Sequence, residues 1–154
     1  MAIRVKLDDI IEGMEFQSDE STSYLNKNTG KVVTISEEEF TAARDDEPIE
    51  DFSEWHEDIR TAKEILETEN YIPLPTKFDI HEYNIMERFC LSIKDEEISN
   101  IMYDSIKSSG AFKRFKRNID QYNIEEDWYE YRDAAIKEIA IEWCKDNNIE
   151  FTEE

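Results

Sequence analysis

Glycine, proline, cysteine and histidine are all scarce in this 154-residue chain: three, three, two and two residues respectively. The three glycines, Gly13, Gly30 and Gly110, stand alone. That excludes the phosphate-cradling loops, which need clustered glycines so that backbone amides converge on the anion. Cys90 and Cys144 lie far apart and in no CxxC or Cys/His array, so there is no disulfide framework, and buried thiols in a reducing compartment are expected. His56 and His81 share no i, i+4 spacing and no HExxH pattern, which leaves no metal-ligand set. Nowhere do about 18 apolar residues run together, and Met1 to Lys6 lead straight into Asp8 and Asp9. A cytoplasmic protein that neither crosses a membrane nor carries an export signal is the expectation.

Basic residues are also few, 18 against 39 acidic, for a formal charge of −21. Self-repulsion of that size opposes compaction and disfavours polyanionic partners. Even so, 39% of the residues are apolar and 12% aromatic, which supplies the packing area that a disordered acidic chain lacks. A length of 154 residues fits one domain with an ordinary core, and residues 1–154 are read as such.

Two β-prone runs, Ser23 to Asn26 and Lys31 to Ile35, flank the loop Lys27-Asn28-Thr29-Gly30, and Gly30 can take the positive φ of a hairpin turn. Ser36 and Glu39 form a capping box for a short helix ending near Arg44. Past an acidic loop, Asp45 to Asp51, the residues Trp55, Ile59, Ala62, Ile65 and Leu66 recur at helical spacing. Tyr71 to Pro75 must be extended, because each proline disfavours helix in the residue before it. Asp79 and Glu82 read as a capping pair ahead of the stripe Tyr83, Met86, Phe89, Cys90 and Ile93. A further stripe, Ile98, Ile101, Met102 and Ile106, stops at Gly110, read as a C-cap. Phe112, Phe115 and Ile119 then precede the longest helix, expected to open at Asn123 with Glu126 and to align Trp128, Tyr131, Ala135, Ile139 and Trp143. Ile149 to Thr152 returns as a short strand that could pair with the hairpin. The expectation is an α+β fold, a predominantly helical single domain of about six helices with a small N-terminal β-hairpin.

Four stretches, Ser23 to Val33, Tyr71 to Cys90, Gly110 to Ile119 and Trp128 to Cys144, together resemble a bacterial group known as uncharacterised protein family 0158 (UPF series). They span most of the chain. The resemblance brings no assigned activity and carries over no catalytic residue.

No catalytic, cofactor-binding or metal-ligating constellation emerges from the residues. His81 and Cys90, nine apart on one predicted helix, fall on opposite faces. The loop Asp45 to Asp51 lacks the alternating oxygens and central glycine of an EF-hand. Carboxylate pairs at Asp8 and Asp9, Glu37 to Glu39 and Glu125 to Asp127 sit where helices begin or run, so dipole complementation explains them.

Two segments of opposite sign stand out. Ser36 to Asp58 holds 11 acidic residues against one basic, a net of −10. Ser105 to Ile119 holds five basic residues, Lys107, Lys113, Arg114, Lys116 and Arg117, and no acid. Phe112, Lys113, Arg114, Phe115, Lys116 and Arg117 have the composition that stacks bases and neutralises phosphates. The same spacing also describes a core stripe of Phe112, Phe115 and Ile119 with a solvated charged face, and the surrounding negative field weighs against nucleic acid. The acidic segment in turn admits two readings, a solvated surface or a dock for a basic macromolecule, with phosphate mimicry as its sharpest form. The leading expectation is a noncatalytic binding or regulatory protein with a basic protein partner. The alternatives are nucleic-acid binding through residues 112–117 and an enzyme whose pocket is built from Tyr, Trp and carboxylate side chains.

Overall fold

A computed structural model of the chain describes residues 4–45 and 54–153, with backbone only for Glu54, Trp55 and His56. In chain order the elements are β1 (Arg4–Lys6), α1 (Leu7–Phe16), β2 (Ser21–Asn26), β3 (Val32–Ser36), α2 (Glu37–Arg44), α3 (Glu54–Glu67), β4 (Tyr71–Pro73), α4 (Lys77–Ile80), α5 (Glu82–Ser92), α6 (Glu96–Ser105), α7 (Ala111–Gln121), α8 (Glu125–Asp146) and β5 (Glu150–Thr152). The fold is α+β and mainly helical. Among the described residues there are seven helices of eight or more residues, against the six or so expected, plus the single turn α4. The chain divides into two compact units, a first made of residues 1–79 and 139–154 and a second made of residues 80–138. Residues of α8 belong to both.

In the first unit the hairpin forms where the turn chemistry places it. Asn26 Oδ1 accepts from the Asn28 and Thr29 amides, the Gly30 amide donates to the Asn26 carbonyl, and Gly30 takes φ 77°. A side chain with a Cβ is strained at that φ. Ser36 caps α2 as its sequence predicts: its hydroxyl accepts from the Glu39 amide (3.1 Å), and the Glu39 carboxylate accepts from the Ser36 amide (2.8 Å). The extended run at Tyr71–Pro73 becomes a third strand. It pairs antiparallel with β2, Leu25 opposite Ile72, giving the order β3-β2-β4. Proline is tolerated there because β4 lies at the sheet edge.

Alternation along the strands gives the sheet two different faces. Tyr24, Val33 and Ile35 turn to α2 and α3 and pack with Phe40, Ala42, Ala43, Ile59 and Ala62; Tyr24 and Phe40 meet edge to face at 5.9 Å. Ser23 and Leu25 turn to α1, whose Leu7, Ile10, Gly13 and Met14 are buried. Gly13 is required there: a Cβ would lie 2.6 Å from Val32 Cγ1 and 2.7 Å from Leu74 Cδ1. The contact is made in polar terms too. Ser23 Oγ donates to the Gly13 carbonyl (2.8 Å), so the proton shared with Thr34 Oγ1 (2.7 Å) comes from Thr34.

The final strand does not join the hairpin. β5 pairs in parallel with β1, Val5 opposite Phe151, as a separate two-stranded sheet. Asn148 makes the return possible. It takes φ 57° after α8, with the Ile149 amide on the Cys144 carbonyl (2.8 Å) and the Asn148 amide on that of Lys145. That is the paired-bond helix stop of a left-handed C′ residue.

In the second unit, α5, α6, α7 and the first part of α8 close around three rings. Phe89, Phe115 and Trp128 meet edge to face at centroid distances of 6.1, 5.3 and 4.7 Å. Each such contact contributes about 0.5–1.5 kcal/mol beyond burial. Ile85, Met86, Cys90, Met102, Ile106, Ile119 and Ile136 complete the core. Tyr83 Oη donates to the Ile106 carbonyl (2.8 Å), and Arg132 Nε donates to Glu82 Oε1 (2.7 Å).

Five local expectations are corrected. Asp79 pairs with Thr76, not Glu82: the Thr76 amide and hydroxyl both donate to Asp79 Oδ2, so the capping box starts α4. Gly110 does take a left-handed φ of 81°, but it leads into α7, and α6 has already ended at Ser105. Asn123, at φ 58°, stops α7 through the Ile124 amide on the Ile119 carbonyl and does not cap α8. Along α8 the buried line is Trp128, Ile136, Ala140 and Cys144, one position on from Ala135, Ile139 and Trp143, which are half-buried. Ile101 and Leu66, placed on apolar stripes by spacing, are exposed.

Candidate functional site

The basic-aromatic segment lies on α7, and the helix splits it. Phe115 is core, 2% exposed, against Phe89 and Trp128. Arg114 is spent on the backbone: its guanidinium donates to the Ser105 carbonyl (2.7 Å), the Ser108 carbonyl (2.9 Å) and the Ser108 hydroxyl (2.9 Å), fixing the turn between α6 and α7. Phe112, Lys113, Lys116 and Arg117 point outward together, as positions i, i+1, i+4 and i+5 of one helix must. Phe112 is 52% exposed. Among the described residues no carboxylate lies within ion-pairing distance of these three cations, whereas Lys107 pairs with Asp104 at 3.3 Å and sits over the Tyr103 ring. The core-stripe reading therefore holds for Phe115 and Ile119 and not for Phe112.

The nucleophile candidates are sealed. Cys90 and Cys144 have no accessible surface, and burial pushes both thiols up to about 11 from 9.0, so neither is a thiolate at neutral pH. His81 is exposed in the left-handed turn before α5, so it cannot meet Cys90. Among the described residues no group of three or more His, Cys, Asp and Glu side chains is arranged to hold a metal ion, and no helix is long and apolar enough to cross a membrane. The acidic loop from Asp46 to Asp51 and the His56 side chain lie outside the described residues.

A site that the sequence reading missed lies in the first unit. Asp9, Glu12 and Phe16 stand one above the other on α1, and with Gly13 and the strand residues Val32 to Thr34 of β3 they line an open cleft of about 490 Å³ that has Gly30 and Lys31 at the hairpin end. Phe16 is 69% exposed, on the same outward side of α1 as the exposed Asp9 and Glu12. The signal was available. Leu7, Ile10 and Met14 recur at helical spacing, and Phe16 falls off their stripe onto the face of Asp9 and Glu12.

Charge is shared unequally. The residues of the first unit number 26 acidic against nine basic, a net of −17; those of the second number 13 against nine, a net of −4. What these features define is a class: a charge-polarised α+β protein of two units whose open cleft is lined by carboxylates and apolar side chains. The chain matches the model of Uncharacterised protein family (UPF0158) over residues 1–154 and belongs to that family, as the four stretches from Ser23 to Cys144 indicate. A protein of the same family from Pseudomonas aeruginosa is 26% identical over 132 residues, which cover 82% of this chain and 73% of that one. No solved structure matches the chain significantly.

Proposed function

We infer that the protein is a noncatalytic binding protein whose first unit docks a basic macromolecular partner. The supporting observation is the division of charge, −17 on the residues of the first unit against −4 on those of the second. Asp8, Asp9, Glu12, Asp19, Glu20, Glu37 and Glu38 of the first unit are all exposed. A field of one sign on one unit speeds encounter with an oppositely charged partner and repels a like-charged one, and the effect fades as salt shortens its range. The test is affinity capture on the immobilised chain at low salt. A discrete basic protein should be retained, should elute as the salt rises to about 0.15–0.3 M, and should be lost from an Asp8→Asn, Asp9→Asn, Glu12→Gln variant. Recovery of background alone, or retention indifferent to both changes, rejects the reading.

A second reading rests on the outward face of α7, where Phe112 stands with Lys113, Lys116 and Arg117 and where, among the described residues, no carboxylate lies within ion-pairing distance of the three cations. An exposed ring among unpaired cations suits single-stranded nucleic acid. A gel shift with short RNA and DNA at low salt decides it. A shift that persists when Lys113, Lys116 and Arg117 become Ala, or no shift at all, removes it.

A further inference from the structure

The cleft beside α1 has a wall of an unusual kind, an edge of β3 that no other strand among the described residues pairs with. In an antiparallel pair the residues alternate between bonding across to the partner and pointing their amide and carbonyl away. The Asn26 amide donates to the Lys31 carbonyl (2.8 Å), so the next bonded pairs are Tyr24 with Val33 and Thr22 with Ile35. The backbone groups of Val32 and Thr34 must then face away from β2. Two neighbours agree with that phase. Ser23, opposite Thr34, sends its carbonyl to the Leu74 amide (2.9 Å) on the β4 side. Ser36, two residues on from Thr34, sends its amide outward to Glu39. Strand order β3-β2-β4 leaves β3 at the margin of the sheet, and Thr34 is exposed.

Most proteins blunt such an edge with charge, proline or a covering segment. The charges here lie across the cleft and are of the wrong sign for a second acidic chain. Asp9 and Glu12 stand on the α1 wall with Phe16 next to them, and Val32 lines the β3 side. A strand in the cleft would turn alternate side chains to α1. Lysines or arginines there place their heads against the two carboxylates and their aliphatic stems along Phe16 and Val32. Lys31, at the hairpin end, repels a cation at that point and so fixes which residues of the strand lie opposite Asp9 and Glu12.

We propose that β3 is a strand-addition site: an extended basic segment of a protein partner joins the sheet along Val32 to Thr34, with its basic side chains on the Asp9 and Glu12 wall of α1. Main-chain bonds supply affinity in such additions, and the pockets for alternate side chains supply selection. The proposal rests on the reading that the first unit docks a basic partner, and it names the place and the backbone geometry.

The probe is an acetylated and amidated octapeptide of alternating lysine and valine, with alternating glutamate and valine as its control. Binding to the full chain is followed by amide hydrogen exchange and by NMR shift changes. The lysine peptide should slow exchange at the Val32 and Thr34 amides by about tenfold or more, and the glutamate peptide should not. Val32→Pro removes one outward amide at the first residue of an edge strand, a position where proline is tolerated, and should weaken binding by about tenfold with the circular dichroism unchanged. Asp9→Asn with Glu12→Gln should weaken it and flatten its salt dependence. Absence of lysine-peptide binding overturns the proposal, as does equal binding of the glutamate peptide. Binding that shifts other acidic surfaces and leaves Val32 and Thr34 exchanging freely also overturns it, while the broader reading of an acidic docking unit stands. Should capture by the whole chain fail as well, both fall.

Discussion

Gln17 shows how much one side chain can hold. It is 5% exposed; its amide donates to the Pro75 carbonyl (2.7 Å) and to that of Met14 (3.3 Å), and its Oε1 accepts from the Ser23 amide (3.0 Å). It thus ties the end of α1 to β2 and to the segment after β4. Gln17→Ala leaves buried backbone groups unpaired and should cost about 1–3 kcal/mol in urea unfolding. The thiols give a second prediction. Burial holds Cys90 and Cys144 neutral up to about pH 11 in the folded chain, against 9.0 as the ordinary value. The stability this contributes is complete below about pH 9 and is lost as pH rises toward 11, because the unfolded chain releases those protons first. A Cys90→Ala, Cys144→Ala variant should therefore lose less stability than the parent between pH 8 and pH 10. In the parent, disulfide reagents at pH 8 should react only after unfolding. At this scale the sequence was least informative. Asn123 and Asn148 act through positive φ, and an asparagine at a helix stop is written the same way as one at a cap.

Elements were more legible. Ser36 and Glu39 announced α2 because a capping box is a local exchange of two hydrogen bonds, and the hairpin was announced by Asn28-Thr29-Gly30 between β-prone runs. The β1 and β5 pair was not, since each strand has three residues and nothing in either names its partner. The candidate cleft went unseen for a similar reason: its acidic wall and its strand edge are brought together only by the packing of α1 on the sheet. On α7 the spacing of Phe112 and Phe115 could not say which ring is buried, and the structure does. Phe115→Ala should cost about 3–5 kcal/mol in chemical denaturation, and Phe112→Ala, at a 52% exposed position, about 0.5 kcal/mol or less. A large cost at Phe112 would contradict the outward face assigned to it.

For the whole molecule, a net charge of −21 means that part of the folding free energy is spent against self-repulsion. Raising the salt shortens the Debye length from about 30 Å at 0.01 M to about 8 Å at 0.15 M, so the melting temperature should rise over that interval. Hydrogen exchange should show the gain concentrated in the first unit, whose residues carry −17, with the second unit, at −4, changing little. Equal gains in both would place the repulsion elsewhere.

The first unit is discontinuous in the chain: its last strand, β5, pairs with its first, β1, and the whole of residues 80–138 is threaded between. During synthesis at about 5–20 residues per second, those 59 residues occupy the ribosome for about 3–12 s. Through that interval the acidic unit is made but has no closing strand, while the second unit emerges as one uninterrupted stretch. Vectorial synthesis thus reverses the order of the units: the later one can finish first, and the earlier one waits, with β1 unpaired, until Glu150 to Thr152 emerge.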